Sequence, residues 1–194
     1  ELITKKTFNY FFDKSNCKFK PLKKNLIDDI WKRKIKENKK NFFILPDQSV
    51  GDSYKKKINN LTNILKKKGA DYQFITASEN NAWLLNIRGA DTKYSPIPHS
   101  YGLIDRMKKM LFFCDLSKVP MVLREKLSGI KFVNINFVKK NLASISKKKI
   151  ILDGTTCSID LENLIRKNNK IIDFYDPIYN LKSIKTKKEI KNTQ

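Results

Sequence analysis

Histidine occurs once in the 194 residues, as His99, and cysteine three times, as Cys17, Cys114 and Cys157. The cysteines are far apart, odd in number and form no CxxC pair. That excludes a Cys/His zinc cluster and argues for the reduced thiols of a cytosolic, cytoplasmic protein rather than a disulfide framework. A catalytic transition-metal centre would have to be built from carboxylates almost alone, a donor set such ions rarely accept. No apolar run approaches the ~20 residues of a membrane helix, so no membrane partner is expected. The first residue is Glu1, with no methionine and no signal-type apolar core behind it. The start reads as cut, and a targeting segment ahead of it stays open.

Arginine is scarce too. Only Arg33, Arg88, Arg106, Arg124 and Arg166 stand among the 41 basic residues that give a net charge of +22. Such a charge invites a nucleic-acid reading. Base edges, however, are read chiefly by bidentate arginine, and lysine is a poor substitute. The lysines accompany abundant asparagine and isoleucine, as an AT-rich genome imposes on exposed positions, and they run through nearly every segment. The expectation is weak, salt-sensitive stickiness and no specific nucleic-acid partner. A stand-alone α/β binding module that touches nucleic acid weakly is the competing reading.

What is present is an ordinary globular composition, 40% hydrophobic and 11% aromatic, with a strand-and-helix alternation. Residues 1–14 have helical spacing, with Thr4 as cap and Phe8, Phe11 and Phe12 on one face. A short apolar segment at 25–31 precedes a basic run at 32–41 that reads as a linker. An extended apolar stretch at 42–46 follows. A helix is expected over 52–68, capped by Asp52 or Ser53, with Tyr54, Ile58, Leu61 and Leu65 inward and Gly69 just past its end. Strands are expected at 72–76, 131–135, 149–153 and 171–174. Helices are expected at 78–86, 119–128, 136–145 and 158–168. Residues 100–105 and 109–115 form a hairpin around Arg106-Met107-Lys108. This pattern gives an α/β fold, a mixed β-sheet flanked by helices. The tail from Asp176 is polar and helix-prone, and residues 186–194 read as the opening of a helix cut short.

The densest motif is Ala82-Trp83-Leu84-Leu85-Asn86-Ile87-Arg88-Gly89-Ala90-Asp91, followed by Tyr94-Ser95-Pro96-Ile97-Pro98 and Tyr101. Read as scaffold, Ser78 caps a helix through its hydroxyl and Trp83 turns toward a core. Gly89 ends the helix in the left-handed conformation that glycine adopts cheaply. The prolines then hold residues 94–98 extended.

That motif resembles the second domain of three-domain Xaa-Pro aminopeptidases, in the creatinase and prolidase superfamily. Asn25-Leu26-Ile27-Asp28-Asp29-Ile30-Trp31 resembles the segment closing the first domain of these enzymes, and Leu2-Ile3-Thr4 the segment before the preceding helix. Residues 51–71 resemble the helix opening domain two. Asp176-Pro177-Ile178, residues 181–185 and Glu189-Ile190 are similar to the passage into the catalytic domain. Ser95 and His99 depart from the pattern, which often has asparagine and an apolar residue there. A creatinase- or prolidase-type parent shares the related N-terminal domain, but the Trp83 to Asp91 signature favours the aminopeptidase.

The resemblance implies residues 1–45 as the end of a first domain with its linker, 46–175 as a second domain, and 176–194 as the start of a catalytic domain. It also implies a parent that removes an N-terminal residue preceding proline. Two divalent ions, usually manganese, would be held there by two Asp, one His and two Glu of the catalytic domain. None of those ligands maps onto this sequence, so no catalytic residue, no metal residue and no cofactor is assigned within it. The implied partners are the chain's own catalytic domain, peptide substrates with a penultimate proline, and an assembly that could be a homodimer. The part itself would be inactive, shaping substrate access and assembly.

Within the chain, two residues are candidates for contact with substrate or a neighbouring domain. Arg88 is expected at a helix end, where the helix dipole and Asp91 would also suit it. His99 follows the proline-rich loop and otherwise reads as an exposed loop histidine. Asp153-Gly154-Thr155-Thr156 lacks the spacing and lysine of a phosphate loop and reads as a strand-to-helix turn. Asp28 and Asp29 could suggest a metal pair, but the resemblance implies turn residues between domains.

Overall fold

A computed structural model describes residues 3–20, 22, 24–31 and 39–194. Glu1, Leu2, Arg33 and most of the expected linker, residues 32–38, lie outside the described residues.

The N-terminal helix α1 is Lys5–Phe12, and its cap is Thr4, whose hydroxyl accepts from the Thr7 amide at 3.0 Å. Phe8 and Phe12 share one face and gather Phe19 against them, with ring centroids 5.3 and 4.5 Å away. Phe11 is exposed, sits edge-on to Tyr10 and has the Phe12 ring centroid 6.2 Å away. A single helical turn, α2 (Ile27–Ile30), follows and is exposed.

The body of the molecule begins with β1 (Phe43–Ile44) and α3 (Tyr54–Lys67). Of the two expected caps it is Ser53 that accepts from the Lys56 amide. The far end of α3 closes on Gly69 at φ +63, with the Ala70 amide reaching back to the Leu65 carbonyl. A side chain would strain that turn. The remaining strands are β2 (Tyr72–Ile75), β3 (Ile87–Arg88), β4 (Tyr101–Asp105), β5 (Met110–Cys114), β6 (Ile130–Asn134), β7 (Lys149–Leu152) and β8 (Lys170–Asp173). Between them run α4 (Ser78–Leu85), α5 (Met121–Lys126), α6 (Val138–Ala143) and α7 (Ile159–Arg166). Two more helices, α8 (Pro177–Ser183) and α9 (Lys187–Thr193), complete the chain.

Six strands form one mixed sheet in the order β6-β5-β4-β2-β7-β8. β4 is antiparallel to both neighbours, and the other pairings are parallel. The hairpin expected at 100–115 is thus what makes the sheet mixed. Side chains alternate across it. Ile75, Ile104, Phe112 and Ile151 meet α3, α4 and α5 on one face. Phe74, Leu103, Phe113, Ile150 and Leu152 meet α6 and α7 on the other. Three layers result, with the sheet buried between two helical ones. Cys114 and Cys157 are free and buried in these cores, where burial pushes each thiol up to about 12; Cys17 is free and exposed.

β3 was not expected. Residues 87–88 were read as the tail of the preceding helix, but they leave it and pair antiparallel with β1, Phe43 opposite Arg88 and Ile44 opposite Ile87. Two residues carry too little periodicity to announce a strand. The partner strand, more than 40 positions earlier, is a tertiary fact.

Candidate functional site

The motif from Ala82 to Tyr101 folds as a helix end, a short ribbon and a clamped loop. Here the structure corrects three local expectations. Ser78 is not the cap of α4. Ala77 occupies that position with no side-chain bond. The Ser78 hydroxyl instead donates to the Ser100 carbonyl at 3.1 Å and accepts from the Ser100 amide at 3.2 Å, tying the helix start to the end of the loop. The left-handed residue that ends α4 is Asn86, at φ +57, not Gly89. Asparagine tolerates that conformation because its amide bonds locally. Here Nδ2 donates to the Asp52 carbonyl at 3.0 Å.

Gly89 has a different reason to be glycine. A Cβ there would stand 2.9 Å from the Phe42 ring and 2.9 Å from the Pro98 Cα. The Gly89 amide donates to the Pro96 carbonyl, so the two ends of the loop touch backbone to backbone. That contact lies between Arg88 on one side and His99 on the other. The structure therefore brings the two candidates to the same loop base, although no hydrogen bond joins them.

Asp91 is the clasp of this loop. One carboxylate oxygen accepts from the His99 amide at 2.8 Å, the other from Lys118 Nζ at 2.7 Å. The Asp91 and Lys118 side chains are 10% and 16% exposed, which sets the pair apart from solvent-screened surface bridges. Burial works against the Lys118 charge, but the Asp91 hydrogen bond and the Asp91 and Asp115 charges outweigh it and hold the ammonium above its ordinary range. Arg88 thus does not have Asp91 as its partner; Lys118 has taken it. Its guanidinium donates from Nη1 to the carbonyl of the preceding Ile87 at 2.9 Å and meets no carboxylate among the described residues. Burial lowers its pKa. Arg88 is therefore a half-buried cation with donors to spare. His99 is exposed, and only its backbone is used.

Beside Arg88 lies a residue that the sequence did not single out. Lys57 of α3 is 3% exposed. Its Nζ donates to the Trp83 carbonyl at 2.8 Å and to Asn86 Oδ1 at 2.5 Å, and stands 4.0 Å from the centre of the Trp83 ring. Burial draws its pKa down to about 8, with Glu189 and Asp52 pulling it back and Arg88 adding to the fall. Its arrangement is that of a cation closing the carboxyl end of α4. One lysine among so many offered no signal, except that position 57 precedes the inward Ile58.

The second buried polar group is at the carboxyl ends of β2, β7 and β8. Asp176, 3% exposed, accepts from Gln73 Nε2 at 2.8 Å, Asn80 Nδ2 at 2.7 Å and the Ile178 amide at 3.0 Å. Burial raises its pKa, and those three donors only partly restrain the rise. Its own amide donates to Asp153 Oδ2. The other Asp153 oxygen holds the Thr155 amide and hydroxyl at 2.9 and 2.6 Å. The 153–156 turn is therefore the strand-to-helix turn expected, filled by its own carboxylate. Asp28 and Asp29 engage Asn25 and Lys24. No group of three or more His, Cys, Asp or Glu that could hold a metal occurs among the described residues. No helix among them is long and apolar enough to cross a membrane.

The sequence profile of the Creatinase/Prolidase N-terminal domain family matches residues 33–189. A probable Xaa-Pro aminopeptidase P of Laccaria bicolor is 30% identical over 88% of this chain, and Xaa-Pro aminopeptidase 1 of Dictyostelium discoideum is 32% identical over 91%. The chain spans 27% and 29% of their respective lengths. Among solved structures, the X-prolyl aminopeptidase of Caenorhabditis elegans, described as a cytosolic enzyme with a di-nuclear active site, superposes with a TM-score of 0.76 at 23% identity. That likeness covers 87% of this chain and 28% of the other, and concerns the fold.

Proposed function

This chain belongs to the creatinase/prolidase N-terminal domain family, and on that premise we propose that it is the non-catalytic N-terminal portion of an Xaa-Pro aminopeptidase. The observation that carries the reading is the 30–32% identity to such enzymes across about nine-tenths of the chain, alongside coverage of under a third of their length. In this reading residues 1–45 close a first domain, 46–175 form the second, and 176–194 lead toward a catalytic domain. The parent is cytoplasmic and releases an N-terminal residue from peptides with a penultimate proline.

The chemistry belongs to two divalent ions, manganese by preference, in that further domain. The described residues gather no donor set for them, so no catalytic step is routed through this chain. What this chain supplies is shape. The loop at 89–100 is clamped at Gly89–Pro98, at Asp91–Lys118 and at Ser78–Ser100. A loop held at three points is a rigid edge, suited to limiting access to a cleft or to seating a neighbouring domain or a second copy. Arg88, half-buried and without a carboxylate, is the group on that edge best placed to meet a carboxylate from outside.

The test is direct. The isolated 194-residue chain, supplied with manganese, should release nothing from an Xaa-Pro peptide. Turnover that survives purification controls and vanishes on substituting a residue of this chain would overturn the proposal.

A further inference from the structure

Two hollows of similar size lie at opposite ends of β7 and β8, and their charge differs. The one at the carboxyl ends, of about 550 Å³, sets Lys5, Lys6 and Arg166 against Asp153, Glu162 and Asp173. The one at the amino ends, of about 520 Å³, is lined by Lys147, Lys148, Lys149, Arg166, Lys167 and Lys170 with Asn168 and Asn169, and by no acid. Six of these eight residues are cationic, against 41 of 194 in the chain. That share is several times the share in the chain as a whole. The dipole of α7 accounts for Arg166 and Lys167 at its carboxyl end, but not for the other four.

The fold holds these charges together at a cost. Lys149 and Lys170 are register partners at the start of the parallel β7 and β8, so two like charges stand on adjacent strands. Lys147 adopts φ +56, a conformation that costs a lysine and suits glycine or asparagine. The two loops are nevertheless fixed. Asn169 donates to the Ile145 and Ile165 carbonyls at 2.8 and 3.1 Å and accepts from the Lys148 amide at 3.1 Å. The Lys147 amide donates to the Asn168 carbonyl. Among the described residues the five lysine ammonium groups meet no carboxylate, although the Lys149 amide donates to Asp71 Oδ2 at 3.0 Å, and only Arg166 is ion-paired, with Glu162 at 2.6 Å. Violations of local preference that a fold enforces concentrate at functional sites.

We propose that this hollow binds a compact polyanion through a chain of linked phosphates, either inorganic polyphosphate or the triphosphate of a nucleotide. Lysine ammonium groups hold phosphate as point charges. The lining has no aromatic platform for stacking bases and one arginine, already paired, for reading them. Its short extent, eight residues drawn from two neighbouring loops and the helix and strand ends beside them, fits a few phosphates rather than the track of a nucleic-acid strand.

The experiment is calorimetric titration of the 194-residue chain with tripolyphosphate, ATP, orthophosphate and an oligonucleotide of about 20 nucleotides, at two salt concentrations. Tripolyphosphate should bind about tenfold or more tightly than orthophosphate and weaken with salt. Lys148→Glu with Lys167→Glu and Lys170→Glu should lower its affinity by about tenfold or more. The same three positions changed to Gln should do so to a lesser degree, with the unfolding temperature checked in each. A control carrying Lys55→Glu, Lys93→Glu and Lys126→Glu, equal in charge but on other elements, should lose less than about twofold. ATP binding as tripolyphosphate does supports recognition of the phosphate chain alone; ATP failing while tripolyphosphate binds supports the inorganic source. Failure of both, equal loss in the control, or an oligonucleotide binding more tightly through the same three lysines would each overturn the proposal.

Discussion

The two flanks of the sheet are attached in opposite ways. None of the described residues in 3–31 is buried. That segment touches the body through the Thr4–Ser158 bridge and through the Ile159 amide donating to the Ile3 carbonyl. Tyr10, Phe11, Ile30 and Trp31 stay exposed. The other flank reaches the centre of the molecule. Asp176, Pro177 and Ile178 are buried, and Ile178 joins the same core as α3 and α4. Tyr179 donates to Glu79, Lys182 to Asn80, and Thr186 caps α9 in a reciprocal box with Glu189. Both flanks carry apolar residues at helical spacing. What separates them is the polar anchoring beside those residues, which fixes where the apolar ones go.

The strongest way to break that contrast is to remove the anchor. Asp176→Ala takes the acceptor from Gln73, Asn80 and the Ile178 amide at once, leaving buried donors unsatisfied. The loss should be about 3 kcal/mol or more of unfolding free energy. Asp176→Asn should cost nearly as much, since its NH2 would face a donor. Denaturant titration measures both. A loss below ~1 kcal/mol would mean that the C-terminal flank is held by Ile178 packing alone.

Lys57 sharpens the contrast, because Glu189 of the C-terminal flank acts on it. Its folded pKa, about 8, lies below the ordinary 10.5. Between these values the unfolded chain binds more protons than the folded one, so this group makes stability rise with pH across that window. Below pH 8 the penalty of the buried charge is present in full, up to roughly 3 kcal/mol for a shift of this size. The neutral amine keeps donors for the Trp83 carbonyl and Asn86, so deprotonation leaves the contacts intact. The unfolding free energy of wild type minus that of Lys57→Met should therefore climb between pH 7.5 and 10. Glu189→Gln removes a charge that raises this pKa and should start the climb at lower pH. Parallel curves would show that α9 does not act on Lys57.

Sequence made the frame legible because periodicity is local. The alternation of strands and helices, the hairpin around Met107 and the inward face of Ile58, Leu61 and Leu65 all follow from spacing and turn chemistry. The misses share another cause. Gly89 looked like a helix terminator, but Asn86 takes the left-handed turn and Gly89 is small because Phe42 and Pro98 press on it. Ser78 looked like a cap, but its partner is Ser100, across the loop. Arg88 was matched to the nearest acid in sequence, while Asp91 is claimed by Lys118 from another element. Lys57 drew no notice and Asp176 was noted only as part of a polar tail leading onward, because burial of a charge depends on residues far away in the chain. Local chemistry was readable, and the choice between competing partners was not.

The smallest effect expected is at the N-terminal flank. A chain beginning at residue 40 loses the Ile3–Ile159 hydrogen bond, the Thr4–Ser158 bridge and the Phe8, Phe12 and Phe19 cluster. That cluster packs chiefly on itself, so its removal opens no cavity in either core. The Ile159 amide stands in the first turn of α7, where water can replace the lost carbonyl. The net change in unfolding free energy should be that of about one ordinary hydrogen bond, ~1 kcal/mol or less. Removing Tyr10, Phe11, Ile30 and Trp31 should also make the protein less prone to associate, because exposed apolar surface is shed. Denaturant titration and light scattering on the shortened chain measure the two effects. A drop of several kcal/mol would place α1 within the cooperative unit and erase the distinction between the flanks.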